Sequence, residues 1–596
     1  MRFSAHGRRL PWRRRGVSER PRATSRRSHS HGRSRRSSRQ LMRDTAAVLT
    51  TLSLTLASCA PAHHGDAIAP AGHAPRTVTY LEPLFFNTLY PPAAGFYPNG
   101  AVVNNITDRL LYQDPETLEL SPWIATSLPQ VNADATEYTF QLRDDVTYSD
   151  GTPLTAANVV ANFDLFAKGD KKRKLTSSEQ ISHYAGGEVL GPHTVRFHFH
   201  APAPGFAQAT SSFNAGLLSD ATLARGTEGF APGNATQIIG SGPFVITEEQ
   251  QGSRLVLSAR TDYHWGPPAH PHHGRADIDE VRYVLAGEES VRVGGLVSGQ
   301  ADIARQIEAP EEALVRKRGL TILAHGTNGM NNQLALRFRH PLLSDERTRR
   351  ALFLAIDREE IMRTLFSSSY RLADAPMART ALGHRAQDPQ AYRFDPDAAE
   401  ELFAQAGWSR GPDGVLQREG KRLSLTVNEA LPQPRSREVI TKVQEQLARV
   451  GVELHLNPGD NATQNADSLD INKIQVRHTM VGRADPEVIK SLYFSTTRNQ
   501  LLNYDSATDS LGDPELEKLL DAVSADPHHA AERAGDVQDY LTAHAYVLPL
   551  FEEPVVYGVA PYIRGFAAES IGRPSFYGVH IDHGADQDRQ RGKAGN

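Results

Sequence analysis

Cysteine is almost absent from this sequence of 596 residues, in which Cys59 is the single example. One thiol excludes an intramolecular disulfide framework and any metal or iron–sulfur site that needs two thiolates. The sequence also lacks the HExxH, phosphate-loop, GxGxxG and G-x-S-x-G motifs of common enzyme classes. These absences favour a binding protein over an enzyme, and we expect neither a cofactor nor a bound metal.

Beyond the first 58 positions, basic residues are outnumbered by acidic ones. Residues 1–58 contain 15 Arg, no Lys and two acids, a local charge of +13. The remaining residues contain 50 basic and 67 acidic side chains, a net charge of −17. Nucleic-acid binding depends on neutralising phosphates, so we expect no nucleic-acid partner for this acidic part. An RNA-binding arm stays open as an alternative for the arginine-rich head alone.

The apolar run Ala46–Ser58 is too short to cross a hydrocarbon core of ~30 Å as a helix, but it is typical of a secretion signal. It ends at Cys59, and Leu-Ala-Ser-Cys resembles the lipobox of bacterial lipoproteins, whose cysteine is lipidated and becomes the mature N-terminus. We therefore predict a signal peptide at 1–58, with Met42 as an alternative start, and a lipidated Cys59 followed by a flexible tether to residue 75. The expected location is extracytoplasmic, in the periplasm or at the outer face of the cytoplasmic membrane. The alternative for Cys59 is a buried free thiol.

Local patterns beyond the tether predict mixed α/β structure. Glu137–Arg143 alternates polar and apolar residues as a half-buried strand does. Thr155 is a predicted N-cap, and Asp395 is another, with Pro396 at the first helical position. Residues 423–456 read as strand, helix and strand, which indicates a parallel pair with a right-handed crossover.

Two groups of histidines are weak candidates for a metal site. His198 and His200 alternate along a predicted strand, and His270, His272 and His273 lie in a Pro/Gly-rich loop. The solvent face of a strand explains the first pair, and the second group has no thiol or helically spaced carboxylate to complete a zinc set. We interpret both groups as surface histidines.

Six ordered motifs carry a family resemblance. The longest is Tyr138–Ala156, YTFQLRDDVTYSDGTPLTA, and the others are Gly240–Phe244, Leu296–Ile303, Arg349–Arg358, Asp395–Gly407 and Val547–Leu550. Together they resemble the family 5 extracellular solute-binding proteins of ABC importers, which include oligopeptide-, dipeptide- and nickel-binding receptors. The motifs span about Thr77 to Phe566.

This resemblance implies an α/β bilobal fold of the periplasmic-binding-protein type, class II and cluster C, with an extra domain inserted in the first lobe. It places domain I at 76–112, 239–328 and 546–575, the inserted domain II at 113–238, and the second lobe, domain III, at 329–545. We expect a disordered tail at 576–596. The family further implies a monomer that binds a small solute between its lobes and, by hinge closure, presents it to permease and ATPase subunits.

The solute class follows from departures from the family pattern. Peptide receptors of this family carry an aspartate three residues before an Asp-Pro pair, which holds the ligand's amino group. Here the pair is Asp485-Pro486 and the earlier position is Gly482. Arg477, His478 and Arg483 lie in the same stretch instead. Arginine at a cleft suits carboxylate, phosphonate or sulfonate groups. The sequence therefore favours a small organic anion, a metal chelate or a blocked peptide over a free dipeptide, and surface or interlobe salt bridges are the alternative for the arginines.

Family position also suggests wall residues for the cleft, namely Phe96, Tyr97, Asn328, Met330, Asn331 and Tyr504. With Arg477, His478 and Arg483 they are the candidates for ligand contact. A secreted lipid-anchored hydrolase and an adhesive surface lipoprotein remain as alternative functions, although the sequence shows neither a nucleophile constellation nor stalk-like repeats.

Overall fold

The computed structural model describes residues 76–430, 433, 435–525, 528–582 and 584. The predicted signal peptide, Cys59 and the tether therefore lie outside the described residues. All described residues belong to one compact unit, His73–Asn596. Within them, no helix is both long and apolar enough to cross a membrane.

The first lobe is built on a seven-stranded sheet with the order β12-β24-β11-β1-β10-β9-β8. Its central strand β1 pairs in parallel with β10 on one side and β11 on the other, and Val78 and Tyr80 of β1 are fully buried. The strands up to the second lobe are β1 (Thr77–Glu82), β2 (Leu111–Gln113), β3 (Leu120–Pro122), β4 (Gln130–Val131), β5 (Glu137–Gln141), β6 (Tyr184–Gly191), β7 (Thr194–Phe199), β8 (Phe244–Gln250), β9 (Arg254–Ala259), β10 (Glu280–Leu285), β11 (Ile303–Arg305) and β12 (Thr321–Gly326). The helices of this part are α1 (Tyr97–Ile106), α2 (Ala156–Lys168), α3 (Phe206–Ala209), α4 (Asp220–Leu223), α5 (Glu289–Ser298) and α6 (Ala309–Lys317).

A smaller layer is inserted between β1 and β8. Strands β4, β5, β7 and β6 form their own antiparallel sheet, and α2 packs on it. The Thr155 side chain accepts a hydrogen bond from the Asn158 amide at the start of α2, as its N-cap position predicted. Phe163, Phe197 and Phe206 meet in the core of this layer, which explains the apolar alternation of β5 and β7.

The second lobe is built on a six-stranded sheet with the order β14-β23-β13-β20-β18-β19. The predicted strand-helix-strand unit is confirmed, because β18 and β19 pair in parallel and α10 connects them. The strands are β13 (Gly329–Leu336), β14 (Arg371–Leu372), β15 (Ser409–Arg410), β16 (Leu416–Arg418), β17 (Lys421–Arg422), β18 (Ser424–Val427), β19 (Glu453–Leu456), β20 (Val476–Gly482), β21 (Tyr504–Asp505), β22 (Ser510–Leu511) and β23 (Val547–Glu552). The helices are α7 (Glu346–Leu354), α8 (Arg358–Leu365), α9 (Pro396–Gln405), α10 (Ser436–Arg449), α11 (Asn461–Asp467), α12 (Val488–Tyr493), α13 (Pro514–Ala525) and α14 (Ala530–Ala543).

Two chain crossings join the lobes, and we call them together the hinge: Thr327–Asn328, between β12 and β13, and Glu553, after β23. The Thr327 amide donates to the Glu553 carbonyl at 3.3 Å, so the crossings are bonded to each other. The predicted return to the first lobe near Tyr546 is wrong, because β23 pairs with β13 in the second-lobe sheet and the chain returns only after Glu552.

The chain ends with short strands of the first lobe, namely β24 (Pro554–Val559), β25 (Ile563–Arg564), β26 (Ala567–Ala568), β27 (Pro574–Ser575) and β28 (His580–Ile581). The predicted disordered tail therefore begins too early. Phe576, Tyr577 and Val579 are buried, and Phe576 contacts the ring of Tyr80 on the central strand.

Candidate functional site

The two lobes touch through polar contacts at two places besides the hinge. At one, the Ser367 and Ser369 hydroxyls of the second lobe donate to the two carboxylate oxygens of Glu312 on α6, the latter at 2.6 Å. At the other, the Gly205 amide at the start of α3 donates to Glu487 at 3.2 Å. Glu312 is only 1% exposed, so its carboxylate is buried among these partners. The lobes of this structure are therefore in contact outside the hinge.

A chain of buried hydrogen bonds leads from α10 of the second lobe to the hinge. The Ser436 hydroxyl lies 2.9 Å from His478 Nδ1, and His478 Nε2 lies 2.7 Å from Asn332 Oδ1. The Asn332 amide nitrogen donates in turn to Glu553 at 3.1 Å and to Gln433 at 2.8 Å. Ser436, His478 and Asn332 are fully buried, which requires that their polar atoms be paired in this way.

Two members of this chain, His478 and Glu553, have displaced pKa values. Burial, with a smaller contribution from the charge of Arg477, lowers the pKa of His478 to about 3, so its imidazole is neutral. Burial, with the nearby charge of Glu308, raises the pKa of Glu553 to about 7 despite the hydrogen bond from Asn332. A carboxyl with this pKa at a hinge is poised to accept or release a proton when its surroundings change.

Arg483 does not present a free positive charge to the cleft. It lies just after β20, and its guanidinium donates to both carboxylate oxygens of Asp485, with Nη2 2.9 Å from Oδ1. Burial, together with the charge of Asp485, raises the pKa of the neighbouring Glu487. Glu179 of the inserted layer adds a further carboxylate nearby, paired with Arg498 of the second lobe. The surroundings of Arg483 are therefore acidic overall.

Gly482 lies directly against the hinge. A side chain at this position would bring its Cβ within 2.8 Å of Thr327 Cγ2. The Arg483 amide donates to the carbonyl of Asn328 at 2.9 Å, and the Asn328 side chain donates to the carbonyl of Ser570. The close approach of β20 to the hinge thus explains a glycine here on steric grounds alone.

The remaining predicted wall residues are distributed over several places. Met330 and Asn331 are buried at the start of β13, where Asn331 donates to the Ala375 carbonyl at 2.9 Å. Tyr504 lies in the β21–β22 hairpin, and its hydroxyl donates to Asp509 at 2.9 Å. Arg477 lies at the far end of β20, six positions from Arg483, a separation of about 20 Å at ~3.3 Å per residue. The structure therefore does not bring Arg477 and Arg483 together.

Phe96 and Tyr97 stand at the start of α1 in the first lobe. The guanidinium of Arg305 lies 3.8 Å from the centre of the Tyr97 ring, and the Tyr97 hydroxyl contacts Tyr557 and the Gly572 carbonyl. Burial raises the pKa of Tyr97, so the hydroxyl stays protonated. Tyr97 is thus fixed within its own lobe, while Phe96 is half-buried as the N-cap residue.

Four residues of the site, Asn332, Glu553, Glu312 and Glu487, were not predicted from the sequence. One signal was present: every residue of β13 is buried, yet three consecutive ones, Asn331 to Gln333, are polar. Such residues in a buried strand need partners, which marks the strand as part of a polar network. Glu312 gave no comparable signal, since it is one of several acids on an ordinary amphipathic helix.

His200 and His273 are exposed, as predicted for surface histidines, but His270 is half-buried and packs against Tyr577 with ring centres 5.0 Å apart, so that prediction is wrong for His270. His198 lies on the half-buried face of β7 between Glu137 and Glu188, 3.3 Å from each. Within the described part of the chain, no group of three or more His, Cys, Asp or Glu residues is arranged to hold a metal ion.

Comparison with known proteins identifies the family. The profile of the bacterial extracellular solute-binding proteins, family 5, matches residues 119–500, more than half of the chain. The chain belongs to this family. In sequence it is 25% identical over 391 residues to the oligopeptide-binding protein AppA of Bacillus subtilis, covering 63% of this chain and 66% of AppA. It is also 24% identical over 384 residues to the glutathione-binding protein GsiB of Escherichia coli K12, covering 64% of this chain and 69% of GsiB.

Solved structures show the same two-lobed fold. NikA from Brucella suis, determined in complex with Fe(III)-EDTA, superposes with a TM-score of 0.72 at 20% identity, covering 85% of this chain and 99% of NikA. AppA in complex with a nonapeptide gives a TM-score of 0.67 at 18% identity, with 85% and 100% coverage. The α/β bilobal fold expected for this family 5 protein is therefore confirmed, and these named relatives are binding proteins rather than enzymes.

Proposed function

We propose that this family 5 protein is the solute receptor of an ABC importer, which captures a small solute between its lobes and delivers it by hinge closure to permease and ATPase subunits. The observation that carries the proposal is the pair of lobes between which the described chain crosses at Thr327–Asn328 and Glu553, with separate interlobe contacts at Glu312 and Glu487. Such contacts between rigid lobes are the elements of a hinge closure. The similarity to oligopeptide- and glutathione-binding proteins supports the same role.

The solute is a peptide, a peptide-like molecule, a metal chelate or a small organic anion, and the charges of the cleft favour the first three classes. Arg483 is neutralised by Asp485, which removes the main reason for an anion. The pKa values of Glu487 and of Glu553 at the hinge are both raised, so these carboxyls favour their uncharged form. A solute that presents a neutral or positively charged group to the hinge is better matched.

The proposal includes a lipid anchor at Cys59 and an extracytoplasmic monomer. The lipobox-like sequence before Cys59 supports the anchor. Incorporation of labelled palmitate in the native host and its loss in Cys59→Ala would test it, with Ser58→Ala as the control that keeps the thiol.

Two measurements test the solute-receptor role. Mass spectrometry of molecules released from the purified, gently denatured protein identifies the bound solute, and calorimetry with that compound then measures affinity. We expect Glu553→Gln to change the affinity at least fivefold, whereas Glu552→Gln, the neighbouring glutamate that faces Arg379, leaves it unchanged.

Absence of any retained solute, together with turnover of peptide or ester libraries, would instead support a lipid-anchored hydrolase. Failure of solutes from all four classes to compact the protein in small-angle scattering would favour an adhesive lipoprotein.

A further inference from the structure

A cavity lies inside the first lobe, away from the contacts between the lobes. It is enclosed by the C-terminal end of α1, the β2–β3 hairpin and the segment 567–577, and all its lining residues belong to the first lobe or the inserted layer. The cavity has an accessible volume of about 60 Å³ and opens to solvent at its mouth. Ser570 in its lining accepts a hydrogen bond from the hinge residue Asn328, but the residues of the hinge and of the interlobe contacts do not themselves line the cavity.

One wall of the cavity is aromatic. Trp123 and Tyr112 meet edge to face with ring centres 6.3 Å apart, and Tyr112 and His270 do so at 6.2 Å. His270 in turn packs against Tyr577 at 5.0 Å. These four neighbouring rings offer both faces and edges to a planar ligand. Burial lowers the pKa of His270, so this ring is neutral and adds no charge to the wall.

A buried arginine faces the same space. Arg109 is only 7% exposed, and its guanidinium stacks on the Trp123 ring at 4.6 Å. Its Nη2 donates to Asn104 Oδ1 at 2.9 Å, but its Nε makes no hydrogen bond within the described part of the chain. Its Nη1 donates to the carbonyls of Asn104 and Thr107 at 3.4 Å, so Nε is the nitrogen left for a further acceptor.

A carboxylate completes the lining. Glu569 accepts hydrogen bonds from the amides of Arg573 at 2.8 Å and Ile571 at 3.2 Å, which fix its orientation. A carboxylate has about four lone-pair sites, so two remain for a further donor. Its charge acts on Arg109, so the two opposite charges lie close together at the aromatic wall.

We propose that this cavity is a second binding site, for a free aromatic α-amino acid. The ring lies along Tyr112, Trp123, His270 and Tyr577, the carboxylate accepts from Arg109 Nε, and the ammonium group donates to Glu569. Each of the three chemical groups of such a zwitterion then meets a matching group of the cavity. The site is separate from the proposed interlobe cleft and does not depend on its function.

Calorimetry on the purified protein with L-phenylalanine tests this site. We expect saturable binding at a ratio of one to one, with at least tenfold weaker binding of 3-phenylpropionate, which lacks the ammonium, and of phenethylamine, which lacks the carboxylate. Arg109→Gln and Glu569→Gln should each weaken binding at least tenfold, and Ala567→Phe, which fills the cavity, should abolish it. Arg564→Gln, an exposed arginine of the same lobe, is the matched control and should bind as the wild type does.

The variants also separate this site from the cleft. Glu553→Gln at the hinge should leave L-phenylalanine binding unchanged. If Arg109→Gln does not fold, because its guanidinium also holds Asn104, the folded Ala567→Phe variant decides the question. No saturable binding to the wild type, equal binding of the two analogues, or binding that survives Ala567→Phe or is lost in Glu553→Gln would overturn the proposal.

Discussion

The guanidinium of Arg483 is paired with the carboxylate of Asp485, two residues later, and the two side chains are 9% and 1% exposed. The sequence alone suggested Arg483 as a cation for an anionic solute. Because a buried ion pair is formed within the second lobe, the arginine has a structural partner instead. Asp485 also accepts from the Glu487 amide at 3.0 Å, so the pair positions the glutamate that contacts the first lobe.

Removing the acid of this pair should destabilise the protein strongly. Asp485→Asn leaves the Arg483 guanidinium buried without its counter-charge, which costs about 3–5 kcal/mol in comparable sites. Urea unfolding would measure the loss in the free energy of unfolding. The double variant Arg483→Gln/Asp485→Asn should recover part of it, because no unpaired charge remains. A loss below about 1 kcal/mol in the single variant would show that the pair is not desolvated.

Introducing an aspartate at Gly482 should fail unless space is made for it. A Cβ at this position lies 2.8 Å from Thr327 Cγ2, and overpacking of this kind costs about 1–3 kcal/mol. We expect Gly482→Asp to lower the melting temperature and Gly482→Asp/Thr327→Ser, which removes that methyl group, to recover it. Gly482→Ala adds volume without a charge, so its melting temperature measures the steric effect alone. Equal melting temperatures of Gly482→Asp and the double variant would contradict the steric argument.

Calorimetry tests the effect of the carboxylate on ligand choice. If dipeptides bind only to the double variant, the missing carboxylate explains their exclusion.

The contact of Glu312 with Ser367 and Ser369 should stabilise the closed arrangement. Replacing both hydroxyls with Ser367→Ala/Ser369→Ala removes two hydrogen bonds to a charged group, each worth about 1.5–3 kcal/mol. We expect a larger radius of gyration in small-angle scattering. Glu311→Gln, on the same helix, is the control. An unchanged radius of gyration in the double variant would show that the lobes are held by other contacts.

Much of the fold was accessible from the sequence because its signals are local. The caps Thr155 and Asp395 and the strand-helix-strand unit at 423–456 depend on neighbouring residues, and the structure has all three. The end of the second lobe was misplaced because Val547–Glu552 is an apolar strand that fits either sheet equally well. Only its pairing with β13, more than 200 residues earlier, assigns this strand to the second lobe.

The candidate site was harder to predict for the same reason. His478 was selected for its position beside arginines, but its partners Ser436 and Asn332 are brought to it only by the packing of α10 and β13. The pairing of Arg483 with Asp485 depends on the turn after β20, and the sequence could not show whether the arginine faces a ligand or its neighbour. Contacts made only in the folded chain, whether long-range as for His478 or within a turn as for Arg483, therefore determine which charges remain free.

The pH dependence of stability should reveal the displaced pKa of Glu553. Its pKa rises from 4.5 to about 7 on folding, so between these values the folded state holds a proton that the unfolded state has lost. Stability therefore falls as pH rises from about 4.5 to 7 and is constant above, by at most about 3 kcal/mol. Asp108, with a pKa of about 7, acts in the same direction, and His478, with a pKa of about 3, acts in the opposite direction between pH 3 and 6.5.

Comparing urea unfolding of the wild type and Glu553→Gln isolates the contribution of this one group, since the other two are common to both proteins. We expect the variant to gain stability relative to the wild type between pH 5 and pH 8, and Glu552→Gln to show no such change. Parallel profiles of Glu553→Gln and the wild type would mean that folding does not raise the pKa of Glu553.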